Sequence, residues 1–216
     1  MKRIHLLAVT FMLLCLQGIT KAQSKDDHLE PVSRIYDIYD PQFEYYFEIR
    51  KILFRGLTDS PEIRFHGESS KELKEVFDIE FDIDKNKYYI TYRFFRKLVW
   101  QNGKLTEHKM DKFKTEIDKT AVDLIKSLFD IAISQVRFSE KEIKKFDRAD
   151  YYFSVKINDR LKTGMVWSPS EESKMSKLVD IGQKLAVLAR FEKKRVTLDE
   201  KLQKEIEDLI NELKNE

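Results

Sequence analysis

The middle of the chain carries the pattern that most constrains its fold, a strict alternation of apolar and acidic residues. In the segment Val76–Ile83, each apolar residue from Phe77 onward is followed by an aspartate or a glutamate. A period of two is typical of a strand that buries one side and exposes the other to water. An aromatic-rich run, Tyr88–Trp100, follows, and Asn102-Gly103 supplies the two positive-φ residues that a type I′ hairpin turn needs. With Lys104–Met110 pairing back, these segments predict an antiparallel meander.

After these strands the apolar residues switch to the spacing of helices. They recur every three or four residues over about 115–136, which predicts an amphipathic helix. Ser168-Pro169-Ser170-Glu171 combines a capping serine, a proline suited to the first helical position and a glutamate that can reach back, so a second helix is predicted to start there. Thr197 and Glu200 repeat the capping-box spacing before a last helix over 198–214.

The segment 43–57 fits two patterns. Its first residues alternate as a strand does, and its aromatic and β-branched composition favours that interpretation. The alternative is a helix with an apolar stripe. The residues of that stripe are Tyr46, Ile49, Leu53 and Leu57.

Together these segments predict an α+β fold, an antiparallel β-meander sheet with amphipathic helices packed on one face. A short strand at 62–66 and two strands at 151–157 and 161–167 extend the sheet, the last two around a turn at Asn158-Asp159. The segment 139–150 is predicted to be a short helix or a loop, because it has little apolar periodicity.

The first 22 residues have the order of a secretory leader. A basic head precedes a mostly apolar stretch, 4–19, which is too short for a stable membrane span. Cleavage is predicted after Ala22, which makes the protein periplasmic or secreted, with no membrane insertion once the leader is removed. Cys15, the only cysteine, lies in the leader and lacks the preceding small residue of a lipoprotein. The mature chain is therefore expected to have no disulfide and no thiolate site.

The predicted organisation has four parts. A signal peptide covers residues 1–22, a flexible N-terminal segment 23–40, the α+β domain 41–196, and a C-terminal amphipathic helix 197–216. The apolar stripe of that last helix is expected to fold back on the domain. The alternative is that it docks on a second copy of the chain, forming an oligomer, or on a partner.

Removing the leader changes the charge of the chain. The leader holds three basic residues and no acid, so 37 basic and 38 acidic side chains remain, a formal charge of about −1. A near-neutral chain with interspersed signs gives no electrostatic footprint for nucleic acid. It also lacks the one-signed block that an anionic membrane surface attracts.

No motif in the sequence indicates catalysis, a metal site or a cofactor. His28, His66 and His108 lack the spacing of metal ligands and are interpreted as solvated. A nucleophile elbow and a glycine-rich phosphate loop are both absent from the sequence, and helix capping accounts for Ser168. We therefore expect no catalytic residue, no metal and no cofactor.

The strand Tyr88–Trp100 carries the side chains with the most functional potential. One face is needed for the core beneath the helices, and simple alternation places Leu98 and Trp100 on that face. The other face presents aromatic and cationic side chains, which interface centres commonly use. The binding residues predicted there are Tyr89, Arg93, Phe95 and Lys97. The structural alternative is that the N-terminal strand or a helix covers this face.

These observations predict an exported, non-enzymatic binding protein that uses the aromatic-rich sheet face to bind a protein or a glycan. One alternative is an envelope- or glycan-directed hydrolase with a carboxylate pair in a groove. That alternative predicts a deep pocket with two acids whose pKa values are shifted in opposite directions. The other alternative is an inhibitor or immunity-type protein, which would share the binding chemistry.

Several segments carry a family resemblance. These are Glu62-Ile63-Arg64-Phe65, Lys87-Tyr88-Tyr89-Ile90, and the stretch from Tyr151-Tyr152-Phe153 through Thr163-Gly164 to Trp167-Ser168-Pro169. Over roughly residues 41–190 the chain resembles an uncharacterised family of small exported proteins of gut Gram-negative bacteria. The resemblance implies export and a shared fold, and it implies no activity.

Overall fold

The computed structural model describes residues 27–32, 43–69, 74–138 and 149–215. The predicted signal peptide, most of the predicted flexible segment and most of the short helix or loop at 139–150 lie outside the described residues. Within them the chain forms eight strands and four helices. The strands are β1 Glu30–Pro31, β2 Ile63–Ser69, β3 Glu75–Asp82, β4 Lys87–Gln101, β5 Lys104–Ile117, β6 Ala149–Ile157, β7 Arg160–Trp167 and β8 Arg195–Val196. The helices are α1 Phe43–Leu53, α2 Lys119–Ser134, α3 Lys174–Phe191 and α4 Glu200–Lys214.

The described strands form one sheet in the order β1-β7-β6-β2-β3-β4-β5-β8. All neighbours are antiparallel except β5 and β8, which are parallel. The predicted α+β class is confirmed, but the predicted simple meander is wrong. The chain leaves the sheet through α2 after β5 and returns as β6 beside β2, on the opposite side of the β2–β5 meander.

Two hairpin turns follow from local backbone preferences. Asn102 and Gly103 have φ values of 51° and 71°, and Asn158 and Asp159 have φ values of 49° and 59°. Positive φ at both central residues is the type I′ geometry, whose twist matches that of the flanking strands. Both predicted turns are therefore confirmed, joining β4 to β5 and β6 to β7.

The main core lies between one face of the sheet and the layer formed by α2, α3 and α4. Its centre is a group of phenylalanines, with Phe65 packed against Phe77 and Phe153 at ring distances of 5.5 and 5.3 Å. Gly182 of α3 lets the helix approach this group, because a Cβ there would lie 2.7 Å from the Phe65 ring. The apolar stripe of α4 also enters this core, so the C-terminal helix folds back on the domain.

Helix α1 covers part of the other face, so the expectation that helices pack on one face only is wrong. The segment 43–57, for which the sequence favoured a strand, instead contains the helix Phe43–Leu53, and Ile49 and Leu53 of the alternative stripe pack on the sheet. Ile49 and Leu53 of α1 form a second, smaller core with Val76 and Phe95 of the sheet. The sequence could not decide between the two patterns, because the helix gains its stability from this tertiary contact.

The two later helices have caps other than the predicted ones. Ser168 has a φ of 35°, and its hydroxyl oxygen accepts a hydrogen bond from the backbone N–H of Ala149 at 3.1 Å, so it ends β7 rather than capping a helix. The cap of α3 is Ser173, whose side chain accepts the N–H of Ser176. Asp199, and not Thr197, caps α4.

One observation concerns the predicted flexible N-terminal segment. Leu29 and β1 lie in this segment, yet Leu29 is fully buried and β1 pairs with Gly164 and Met165 of β7.

Across the described residues, none of the helices combines the length and the apolarity that a membrane span requires.

Candidate binding surface

Arg93, one of the four predicted binding residues, is buried beneath the end of α1. Its guanidinium donates to the backbone oxygens of Leu53, Arg55 and Gly56 at 3.2, 2.5 and 3.5 Å. The last carbonyls of a helix lack partners within the helix and carry its partial negative charge. Arg93 therefore holds the C-terminal end of α1 on the sheet and is not a cation exposed on an open face.

Phe95 is also covered by α1, with 5% of its surface exposed. It belongs to the second core, and the face alternation of β4 breaks directly after it. Phe95 pairs with Met110 and Lys97 with Lys109, so Arg96 is an extra residue, a β-bulge. One inserted residue exchanges the faces of all the side chains that follow it.

The bulge corrects the predicted faces of the strand. Leu98 packs on the second core rather than the main one, and the Trp100 ring contacts Tyr45 of α1 edge-on at 5.0 Å. Lys97 accordingly does not share a face with Phe95. It is exposed and pairs with Glu107 at 2.6 Å.

Tyr89 is partly exposed at the other end of the strand. Its ring lies between the ammonium groups of Lys85 and Lys114, each 5.1 Å from the ring centre, which is cation–π distance. Tyr89 and Lys97 thus lie at the surface, whereas Arg93 and Phe95 do not. The structure therefore does not bring the four predicted residues together as one exposed patch.

A buried ionic cluster, which the sequence did not predict, lies between α1 and strands β2 and β6. Arg50 of α1 donates to both carboxylate oxygens of Glu68 at 2.7 and 3.0 Å. The Nε2 atom of His66 lies 3.1 Å from Glu68, and the ring of Tyr152 stacks on His66. We call Arg50, His66, Glu68 and Tyr152 the ionic cluster. The alternation of Arg64, His66 and Glu68 along β2 was the available signal of a polar face, but its burial depends on α1.

The protonation states of the ionic cluster follow from burial and from the ion pair. Burial alone raises the pKa of Glu68, but His66 and Arg50 outweigh it and leave the pKa at about 2. Burial lowers the pKa of His66, with Glu68 opposing, and burial raises the pKa of Tyr152. Since only 2% of His66 is exposed, the interpretation of this histidine as solvated is wrong.

A second buried ion pair lies further along the same face. Arg64 donates to both oxygens of Asp78 at 2.6 and 2.5 Å and to the backbone oxygen of Thr58. Burial raises the pKa of Asp78, although Arg64 opposes the shift, so Asp78 and Glu68 are shifted in opposite directions. However, Asp78 pairs with Arg64, four residues from Glu68 along β2, and each acid has its own arginine. They do not form a carboxylate pair across a groove.

Three clefts formed by described residues lie in the helical layer. One of about 420 Å³ follows the seam of α3 and α4, where Lys184 bridges Asp180 and Glu205 at 2.7 and 2.6 Å. It contains none of the four predicted binding residues and neither buried acid. Within the described part of the chain, no three histidine or acidic side chains group as metal ligands would.

The most exposed part of the sheet is the β4–β5 hairpin. Strand β3 pairs with β4 only as far as Phe94, so residues 96–114 run beyond or along the edge of the sheet. We call residues 96–114 the basic ribbon. It has six basic and two acidic side chains, a formal charge of +4 with His108 neutral. The whole chain has a formal charge of +2, so the residues outside the ribbon sum to −2. The ribbon is therefore a local positive surface on a near-neutral chain.

The described fold is that of an α+β protein with one mixed, mostly antiparallel sheet, and its exposed feature is a basic two-stranded ribbon. Protein-family models, curated proteins and solved structures gave no match to the chain.

Proposed function

We propose that the protein is a non-enzymatic binding protein and that the basic ribbon binds an anionic partner. The single observation that carries this proposal is the +4 charge concentrated on an exposed ribbon. The proposed site is therefore the ribbon and not the predicted sheet face. Lys97 belongs to the ribbon and Tyr89 lies at the surface outside it, whereas Arg93 and Phe95 are buried and support α1.

The buried acids favour binding over hydrolysis. The hydrolase alternative needs two carboxyl groups that both face a substrate groove. Glu68 and Asp78 are instead buried at 3% and 0% exposure, each in a bidentate contact with an arginine. The Arg50–Glu68 pair fixes α1 on the sheet and the Arg64–Asp78 pair joins β2 to β3, so both carboxylates are engaged within the protein.

The proposal also places the protein outside the cytoplasm. In a Gram-negative expression host, we expect the periplasmic protein to have an intact mass that begins at Gln23, which is cleavage after Ala22. An intact mass that retains residues 1–22 would contradict this part of the proposal.

Fluorescence anisotropy with labelled poly-L-glutamate and labelled heparin tests the binding surface. We expect binding at 50 mM NaCl that weakens at least tenfold at 500 mM, because salt screens exposed charges. The variant K109E/K112E should lose at least tenfold in affinity. The matched control K201E/K204E makes the same charge change on the exposed face of α4 and should keep the wild-type affinity. Equal losses in both variants would mean that net charge, not the ribbon, determines binding.

A further inference from the structure

Among the described residues, the outer edge of β5 has no partner strand along most of its length. On one side β5 pairs with β4 from Lys104 to Ile117, whereas on the other side β8 pairs only with Glu116 and Ile117. Among the described residues, no strand pairs with the outer edge over residues 104–115. An unpaired edge presents a row of backbone N–H and C=O groups that can accept a further strand.

The open edge is held in place by the second core. Leu98 and Met110, near the base of the ribbon, pack on that core, and the Trp100 ring contacts Tyr45 of α1. Thr106 donates its hydroxyl hydrogen to the backbone oxygen of Val99 at 3.2 Å and so joins the two strands again near the tip. An edge that is already extended and supported loses little conformational freedom when a strand is added to it.

The charge of the edge selects the kind of strand that can be added. Lys112 and Lys114 are two residues apart and share one face of β5, while Lys104 and Lys109 add positive charge nearer the tip. A second copy of the chain would bring another +4 ribbon against this one, and like charges on paired strands repel. A strand with acidic residues at alternate positions would instead place carboxylates opposite Lys112 and Lys114.

We infer that the partner of the basic ribbon is a polypeptide that adds an extended, acidic segment to the outer edge of β5. This inference rests on the proposed function and specifies its partner. Backbone hydrogen bonds to residues 104–115 provide the contact, and alternate acidic side chains provide the selectivity for this edge.

The test compares two fluorescein-labelled twelve-residue peptides in which glutamate alternates with threonine or valine. The second peptide carries N-methyl groups on four consecutive central residues, which removes backbone donors from both of its edges and leaves its charge unchanged. We expect the unmodified peptide to bind at least tenfold more tightly. We also expect it to slow amide hydrogen exchange within residues 104–115, and K112E/K114E to weaken it at least tenfold while K201E/K204E does not.

The other outcomes separate this inference from the proposed function. Equal affinity of the two peptides would overturn strand addition and leave a ribbon that binds by charge alone. Protection of the edge amides in the free protein at all concentrations would mean that the chain covers its own edge. Protection that rises with protein concentration would assign the edge to a second copy. If the protein binds neither peptide and binds neither poly-L-glutamate nor heparin, both the inference and the proposed function are overturned.

Discussion

The ion pair of Arg50 and Glu68 leads to a quantitative prediction for Glu68→Gln. Glutamine keeps the size of the side chain and removes its charge. Position 68 then no longer offers a carboxylate to the Arg50 guanidinium. His66 and Arg50 together lower the pKa of Glu68 from its ordinary 4.5 to about 2, which corresponds to about 3 kcal/mol of unfolding free energy at pH 7. Breaking a buried ion pair by removing one partner costs about 3–5 kcal/mol, which agrees with that magnitude.

The pH dependence of this effect has a defined sign. Because the pKa of Glu68 is lower in the folded state, the unfolded state takes up the proton first. The stabilisation is therefore complete above pH 4.5 and is lost as the pH falls toward 2, with about 2 kcal/mol gone by pH 3. The pKa of His66 is also lower in the folded state, so acidification below 6.5 removes further stability in the same direction.

Urea denaturation followed by circular dichroism at pH 7, 5, 4 and 3 measures both effects. The free energy of unfolding of the wild-type protein should exceed that of Glu68→Gln by about 3 kcal/mol at pH 7 and by about 1 kcal/mol at pH 3. Glu107→Gln is the matched control, because Glu107 forms an exposed pair with Lys97, and its effect should stay within about 0.5 kcal/mol. A difference that is the same at every pH, or one below about 1 kcal/mol at pH 7, would refute the assigned ion pair.

Two further predictions concern the two cores. Arg93→Met should destabilise the protein by about 2–3 kcal/mol and speed amide exchange in α1, because it leaves buried backbone oxygens without a donor. Arg96→Met, at a side chain that is 55% exposed, should change the free energy of unfolding by less than about 0.5 kcal/mol. Equal losses of stability in Arg93→Met and Arg96→Met would contradict the assigned role of Arg93. Gly182→Ala should cost about 1–2 kcal/mol in thermal or urea unfolding, since the new Cβ would lie 2.7 Å from the Phe65 ring. If Gly182→Ala were more stable than the wild-type protein, α3 would have to shift away from the Phe65 ring without cost.

The bulge at Arg96 explains why the candidate site was only partly predictable. Alternation correctly gave the strand, the hairpin and the shared face of Tyr89, Arg93 and Phe95. It could not reveal the extra residue, because a bulge leaves no period of its own in the sequence. The positive charge of residues 96–114 was readable from the sequence, but its exposure on an open edge depends on where β3 stops pairing with β4.

The ionic cluster was missed for a different physical reason. A polar residue at every second position of a strand predicts a face turned toward water. Here α1 packs over that face, so the same residues are dehydrated and must neutralise one another, as Arg50 does for Glu68. The sequence contains each partner, but they are 18 residues apart, and only folding brings them into contact.

The sequence by itself determined the features that depend on near neighbours. These are the alternation of the strands, the stripes of the helices and the two turns in which asparagine, aspartate or glycine accepts positive φ. The helical state of residues 43–53, the return of β6 beside β2 and the open edge of β5 depended on tertiary structure. Local propensities differ by less than the free energy of burying a side chain, so contacts between distant segments decide wherever two local patterns are nearly balanced.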